Sequence, residues 1–259
     1  MCRPAFRILH EIRNAMKKLR LLNSGYGSLA DKSPASILQY KIRVAFPMAI
    51  YMIFYCVTFA VIENWNRVQY TVIHNKADNI IPFCEVFIIP YLLWFAYSVG
   101  FTVYMLLTDE KSYHEVCTFL VIGMTVFLAV SALFPNILVL RPDVMPRSNI
   151  FTRLCRILYA VDTPTNVTPS IHVYNSLCIM IAAWKTDARL MRVRANRIFM
   201  TVLGFSIILS TMFLKQHSFS DVINAIVLAI FSYILIYRIG FVFVGNKQRK
   251  ILYTSVFEH

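Results

Sequence analysis

Long uncharged runs dominate the chain, in place of the alternation of strands or the stripes of surface helices. Residues 44–62 carry no charge between Arg43 and Glu63. Residues 80–107 follow, interrupted by Glu85, and then residues 116–140, with Pro135-Asn136 near the end. A fourth run, 169–184, opens on Pro169-Ser170 and has His172 just inside. Residues 198–214 and 219–244 complete the series, the last with Asp221 in its first turn and Arg238 near its far end. A helix crosses a hydrocarbon core in about 20 residues. In lipid each backbone polar group needs a partner inside its own segment, so these runs predict helices. The period-two pattern of barrel strands is absent. The expected fold is all-α: a polytopic membrane protein with six transmembrane helices, the fourth and fifth being short.

Outside the runs, residues 149–161 (NIFTRLCRILYAV) read as an amphipathic interfacial helix. In the segment 1–43, Phe6, Ile8, Leu9, Ile12 and Met16 recur among basic residues at near-helical spacing. That predicts a helix on the inner membrane surface rather than a cleavable signal. Residues 23–34 read as a loop. The expected organisation is a cytoplasmic segment 1–43, a six-span domain 44–244 and a basic tail 245–259.

Composition strengthens this picture: 58% of residues are hydrophobic and 15% charged, against about 45–50% and about 25% in ordinary soluble chains. The net charge of +13 raises nucleic acid as a partner, but 20 Phe, 14 Tyr and 11 Met in uncharged runs suit no such surface. The excess instead sets topology. Of the 26 Lys and Arg residues, Arg67, Lys76, Arg141, Arg147, Arg153, Arg156 and Lys215 fall on one side of the runs and all others on the opposite side. The basic-rich side is cytoplasmic, so both termini are expected there. The six cysteines are scattered, without a CxxC pair, and read as small packing residues rather than disulfides or metal ligands.

Four polar features fall at the extracytoplasmic ends of the spans: Arg141-Pro142, Pro169-Ser170-Ile171-His172, Lys215-Gln216-His217-Ser218 and Asp221. Ionisable groups at membrane depth are costly, which makes their convergence informative. His217 and Asp221, four apart, share one helix face. A carboxylate on one ring nitrogen fixes the tautomer and frees the other nitrogen as nucleophile or base. The helix start at Pro169 offers N–H groups to an anion, and Arg141, Ser170 and Lys215 are candidate phosphate ligands. Glu85, Asp162 and Asn166 are candidate contacts to a substrate headgroup. Asx residues beside Pro164 and Pro169 also serve as turn formers, and Glu85 also reads as an interfacial carboxylate. Asn166-Val167-Thr168 matches a glycosylation acceptor, a short and common pattern.

These motifs resemble the type-2 phosphatidic acid phosphatase superfamily, which includes lipid phosphate phosphatases, lipid phosphotransferases and vanadium haloperoxidases. Arg141-Pro142 is similar to the end of the family's first motif, Pro169-Ser170-Ile171-His172 to the second (Pro-Ser-Gly-His), and Ser210-Thr211 followed by His217 and Asp221 to the third (Ser-Arg, five residues, His, three residues, Asp). The stretch 162–176 looks nearest the inositol phosphorylceramide synthase-like branch. The resemblance covers residues 80–240 and implies a metal-independent enzyme without a cofactor, acting on a membrane lipid phosphate from the outer face of a bacterial plasma membrane. It casts His217 as the nucleophile, Asp221 as its orienting group and His172 as the acid. Phe134, Ile171 and Thr211 depart from the family's Lys, Gly and Arg. Lys215 and Arg147 are the candidates to replace the two missing cations. The leading expectation is a phosphatase; the alternatives are a lipid phosphotransferase using an alcohol in place of water, and a non-enzymatic lipid-binding relative.

Overall fold

A computed structural model describes residues 34–65 and 69–242. The surface helix expected at 6–16, the loop from 23 to 33, Arg67 and the tail 245–259 lie outside them. The described residues are mostly helical, with seven α-helices: α1 Pro34–Glu63, α2 Ile88–Thr108, α3 Glu110–Leu133, α4 Ile150–Val161, α5 Ile171–Lys185, α6 Arg194–Phe213 and α7 Phe219–Tyr233. Five stretches are long and apolar enough to cross a membrane: α1, α2 with the 3-10 turn before it, α3, α6, and α7 with its continuation to Arg238. The chain divides into two units at Phe46/Pro47, inside α1. Of the first unit, the described part is the opening helical stretch of α1. Everything below concerns the second.

Three boundaries differ from the hydrophobic runs, each for a local reason. The second run begins at residue 80, but regular α-helix starts at Ile88; Glu85–Phe87 forms a 3-10 turn first. The third run extends to 140, but α3 stops at Leu133. Pro135 disfavours helical backbone in the residue before it, and Phe134 leaves the helix with φ −131° and ψ 77°. Asn136–Leu138 then forms strand β2, which pairs in parallel with β1, Thr71–Ile73. The fourth run forms α5, which has 15 residues and spans only about 22 Å at 1.5 Å per residue.

That short helix is the hub. Helix α5 packs against α2, α3, α6 and α7, and ten of its 15 residues are buried. Tyr174, fully buried, donates to the Phe119 carbonyl of α3 at 2.8 Å and meets Ser232 of α7 at 2.7 Å. Its ring lies flush against Gly123 of α3, where an added Cβ would fall 1.9 Å from a ring carbon. Helix α4 is amphipathic as its sequence predicts. Asn149 caps it through Thr152, and Phe151, Leu154, Cys155 and Leu158 pack with Ile88, Tyr91 and Leu214.

The connecting loops at one end are tied together. Asn136 accepts from the Val167 and Thr168 N–H groups and donates to the Phe134 carbonyl, while its own carbonyl accepts from Asn166. Glu63, the last residue of α1, takes the side chains of Thr163, Thr165 and Asn166. The segment entering α5 is thus held from both sides.

Gly123→Ala, forced against a rigid buried ring, is expected to destabilise the protein by about 1–3 kcal/mol. Gly100→Ala, with open space around it, is expected to be neutral or to stabilise by up to about 1 kcal/mol. Thermal unfolding of the two variants in one detergent checks the contrast.

Candidate functional site

The site forms where the first turns of α5 and α7 meet, joined by a 3.4 Å bond from the Ser170 N–H to the Asp221 carbonyl. Ser170 caps α5, accepting from the Val173 N–H. Ser218 and Asp221 form a reciprocal capping box on α7. Both helices therefore point their electropositive ends at the same place. His172 occupies the second position of α5. His217 directly precedes the α7 cap, in a tight reversal where the Thr211 carbonyl accepts from both Gln216 and His217. Lys215 takes φ +54° there.

The two imidazoles face each other, ring centres 5.7 Å apart. His172 is flanked by Tyr91 and Trp94, ring centres 4.6 and 4.3 Å away. His217 Nδ1 lies 3.7 Å from Asp221 Oδ2. That is ion-pair range, longer than a hydrogen bond. Asp221 Oδ2 instead accepts from the Ser218 N–H at 2.8 Å, so this carboxylate both caps the helix and faces Nδ1. His217 Nε2 is left for other chemistry.

Both imidazoles line a cavity of about 150 Å³. Tyr55 and Phe59 of α1, Trp94 of α2 and Phe127 of α3 give it an aromatic wall, and Asp162, Thr163, Thr165, Asn166 and Gln216 give it a polar one. The Asp162 carboxylate accepts from the Tyr91 hydroxyl at 3.1 Å. Burial pushes its pKa up, opposed by His217, Arg141 and that hydroxyl. Arg141 lies over the Tyr159 ring, 4.6 Å from its centre, and donates to the Tyr159 carbonyl and the Gln216 side-chain oxygen. Burial lowers its pKa, against Asp162 and the tyrosines.

The structure thus brings together His172, His217, Asp221, Asp162 and Asn166, with Arg141 one residue removed through Gln216. Three other expectations are corrected. Lys215 does not line the cavity; its ammonium donates to the Asp78 and Ile81 carbonyls. Arg147 is not a replacement cation: it bonds both oxygens of Glu85, at 3.0 and 2.9 Å, and is mostly exposed. Glu85 is therefore no headgroup contact. It also takes Asn149, and so anchors the start of α4. Ser170 is fully buried as a helix cap. Asn166 is 3% exposed, with its amide nitrogen on Glu63, which leaves a glycan no room.

Sequence reasoning passed over Glu63, Trp94, Tyr91 and Asp78, and assigned Gln216 no role. Asp78 takes the Ser218 hydroxyl at 2.6 Å and the Phe219 N–H at 2.7 Å, so it positions the turn carrying His217. Only Glu63 left a signal, as the charge that bounds the first run. Among the described residues no group of three or more His, Cys, Asp or Glu side chains is placed to hold a metal ion.

Compared with known proteins, the chain matches no family model, no curated protein and no solved structure.

Asp162→Asn tests the buried carboxylate. A carboxylic acid whose folded pKa is raised stabilises the fold below its unfolded pKa and loses that contribution as pH rises through the folded value. Wild type should therefore lose stability relative to Asp162→Asn as pH rises from the ordinary carboxylate range through the raised folded value, and the two curves should run parallel above that value. A constant gap across that range would refute the assignment. Denaturation midpoints against pH give the readout.

Proposed function

We propose that the protein is an integral-membrane lipid phosphate phosphatase, similar in chemistry to type-2 phosphatidic acid phosphatases and acting through a phosphohistidine. One observation carries the reading: two histidines from different helices face each other across a cavity at two converging helix N-termini, and a buried carboxylate stands behind one of them. In this reading α5 is the fourth of six crossings. Its burial among four other helices relieves it of the length that a lipid-facing span needs. The loop-tied end is extracytoplasmic and both termini are cytoplasmic.

The chemistry follows from the positions. His217 Nε2 attacks phosphorus as the bond to the lipid oxygen breaks, and His172, which binds a proton when the anionic substrate sits beside it, gives that proton to the lipid oxygen. Asp221 favours the imidazolium that develops on His217. Water then attacks the phosphohistidine and yields its proton to His172. Inorganic phosphate leaves and His217 is regenerated. The first turns of α5 and α7 supply positive potential for the phosphoryl oxygens. Arg141, held by Tyr159, reaches the cavity wall through Gln216. Aromatic side chains from α1 and α3 suit an apolar lipid chain next to the reacting headgroup.

His217→Ala should abolish phosphate release from lipid phosphates while the protein still inserts in the membrane. Asp221→Asn should lower kcat by roughly 10²–10⁴-fold, the range for losing an acid–base partner. Vanadate should inhibit wild type. A panel of lipid phosphates, with and without added alcohols, would follow free phosphate and new phosphodiester together. Undiminished turnover by His217→Ala would sink the assignment.

A further inference from the structure

Two amides in the cavity wall have orientations fixed by their neighbours. Asn166 faces the Glu63 carboxylate, whose oxygen accepts from it, so its nitrogen must be the atom on that side. Gln216 faces Arg141, which only donates, so its oxygen must be the atom on that side. These assignments follow from donor and acceptor chemistry, not from atom placement. Each amide then has one atom left, Asn166 Oδ1 and Gln216 Nε2. Both are buried and neither has a hydrogen-bond partner. The two residues are 3% and 2% exposed and line the same cavity as the two histidines.

Unpaired buried polar atoms are costly, so the pair calls for a ligand group that both donates and accepts. A fully ionised phosphate ester only accepts, and an acyl chain does neither. A hydroxyl does both. We infer that Asn166 and Gln216 read a hydroxyl group carried by the substrate close to its phosphorus, Asn166 Oδ1 accepting from it and Gln216 Nε2 donating to it. This rests on the phosphatase reading and narrows its substrate class to hydroxyl-bearing lipid phosphates. The hydroxyl has two sources, the lipid backbone or the headgroup, with the same chemistry.

Two matched pairs of lipids separate the sources. Lysophosphatidate and its 2-deoxy analogue differ in a backbone hydroxyl; phosphatidylglycerol phosphate and phosphatidyl-1,3-propanediol phosphate, both terminal phosphomonoesters, differ in a headgroup hydroxyl. Wild type should prefer the hydroxylated member of one pair by roughly tenfold in kcat/KM, as expected for one hydrogen bond satisfied against one left open. Asn166→Gly, which tolerates the φ of +53° there, and Gln216→Met should each reduce that preference to about one. A purely structural role would lower both members of a pair alike and leave the ratio intact, which overturns the inference. So does equal turnover of both pairs by wild type, the result if water fills the position. If no lipid is turned over, the phosphatase reading fails separately. Calorimetric affinities for glycerol 1-phosphate and propyl phosphate then decide the hydroxyl pairing: tighter binding of the former supports it, and equal or absent binding overturns it.

Discussion

Two buried carboxylates, Asp78 and Asp221, hold the first turn of α7, and the geometry around His217 depends on both. A helix start leaves N–H groups without intrahelical partners, and here they lie in the interior of the protein. Asp221 takes the Ser218 N–H, and Asp78 takes the Phe219 N–H and the Ser218 hydroxyl. Asp78 comes from a segment some 140 residues earlier, so the turn that presents the imidazole is locked by chain that shares no local sequence with it. Lys215 completes the lock by donating to two carbonyls of that same segment. The charge beside the histidine thereby helps to build the site.

The helical content and most helix centres were legible in the hydrophobic runs. So was α4, whose apolar spacing and Asn149 cap are local properties. The pairing of His217 with Asp221 was legible too, because i,i+4 spacing on a helix is a purely local relation. The fates of Lys215, Arg147 and Glu85 were not. A sequence states that a cation is present at the end of a span, but not which carbonyl or carboxylate will reach it first. Glu85 and Arg147 satisfy each other across 62 positions, a relation no spacing rule contains. The strand pair was hidden for a similar reason: three-residue strands inside or beside apolar runs lack a period of their own, and Pro135 alone marked the break.

Helix α5 is a central element, distinct from the five long apolar helices. Its side chains meet four other helices, so it carries Asn175 and Ser176 buried in the interior of the protein, with His172 in its first turn. Outer helix α1 makes the opposite compromise. It is apolar around its circumference and little of it is buried inside the protein, yet its last turns supply Tyr55, Phe59 and Glu63 to the cavity and its loop clasp.

Surface loops are usually where a protein accepts insertions most readily. The stitching of residues 163–168 between Glu63 and Asn136 removes that freedom at this end. An added residue there would break either the carboxylate clasp or the paired backbone bonds, and would shift the start of α5 with His172 on it. The connection through Arg189–Arg192 at the other end of α5 is tied to Asp109 and Tyr104, away from the cavity. Length variation should therefore accumulate in that connection, and the span from Asn136 to His172 should keep a nearly fixed residue count at each of its turns even where the residues themselves change.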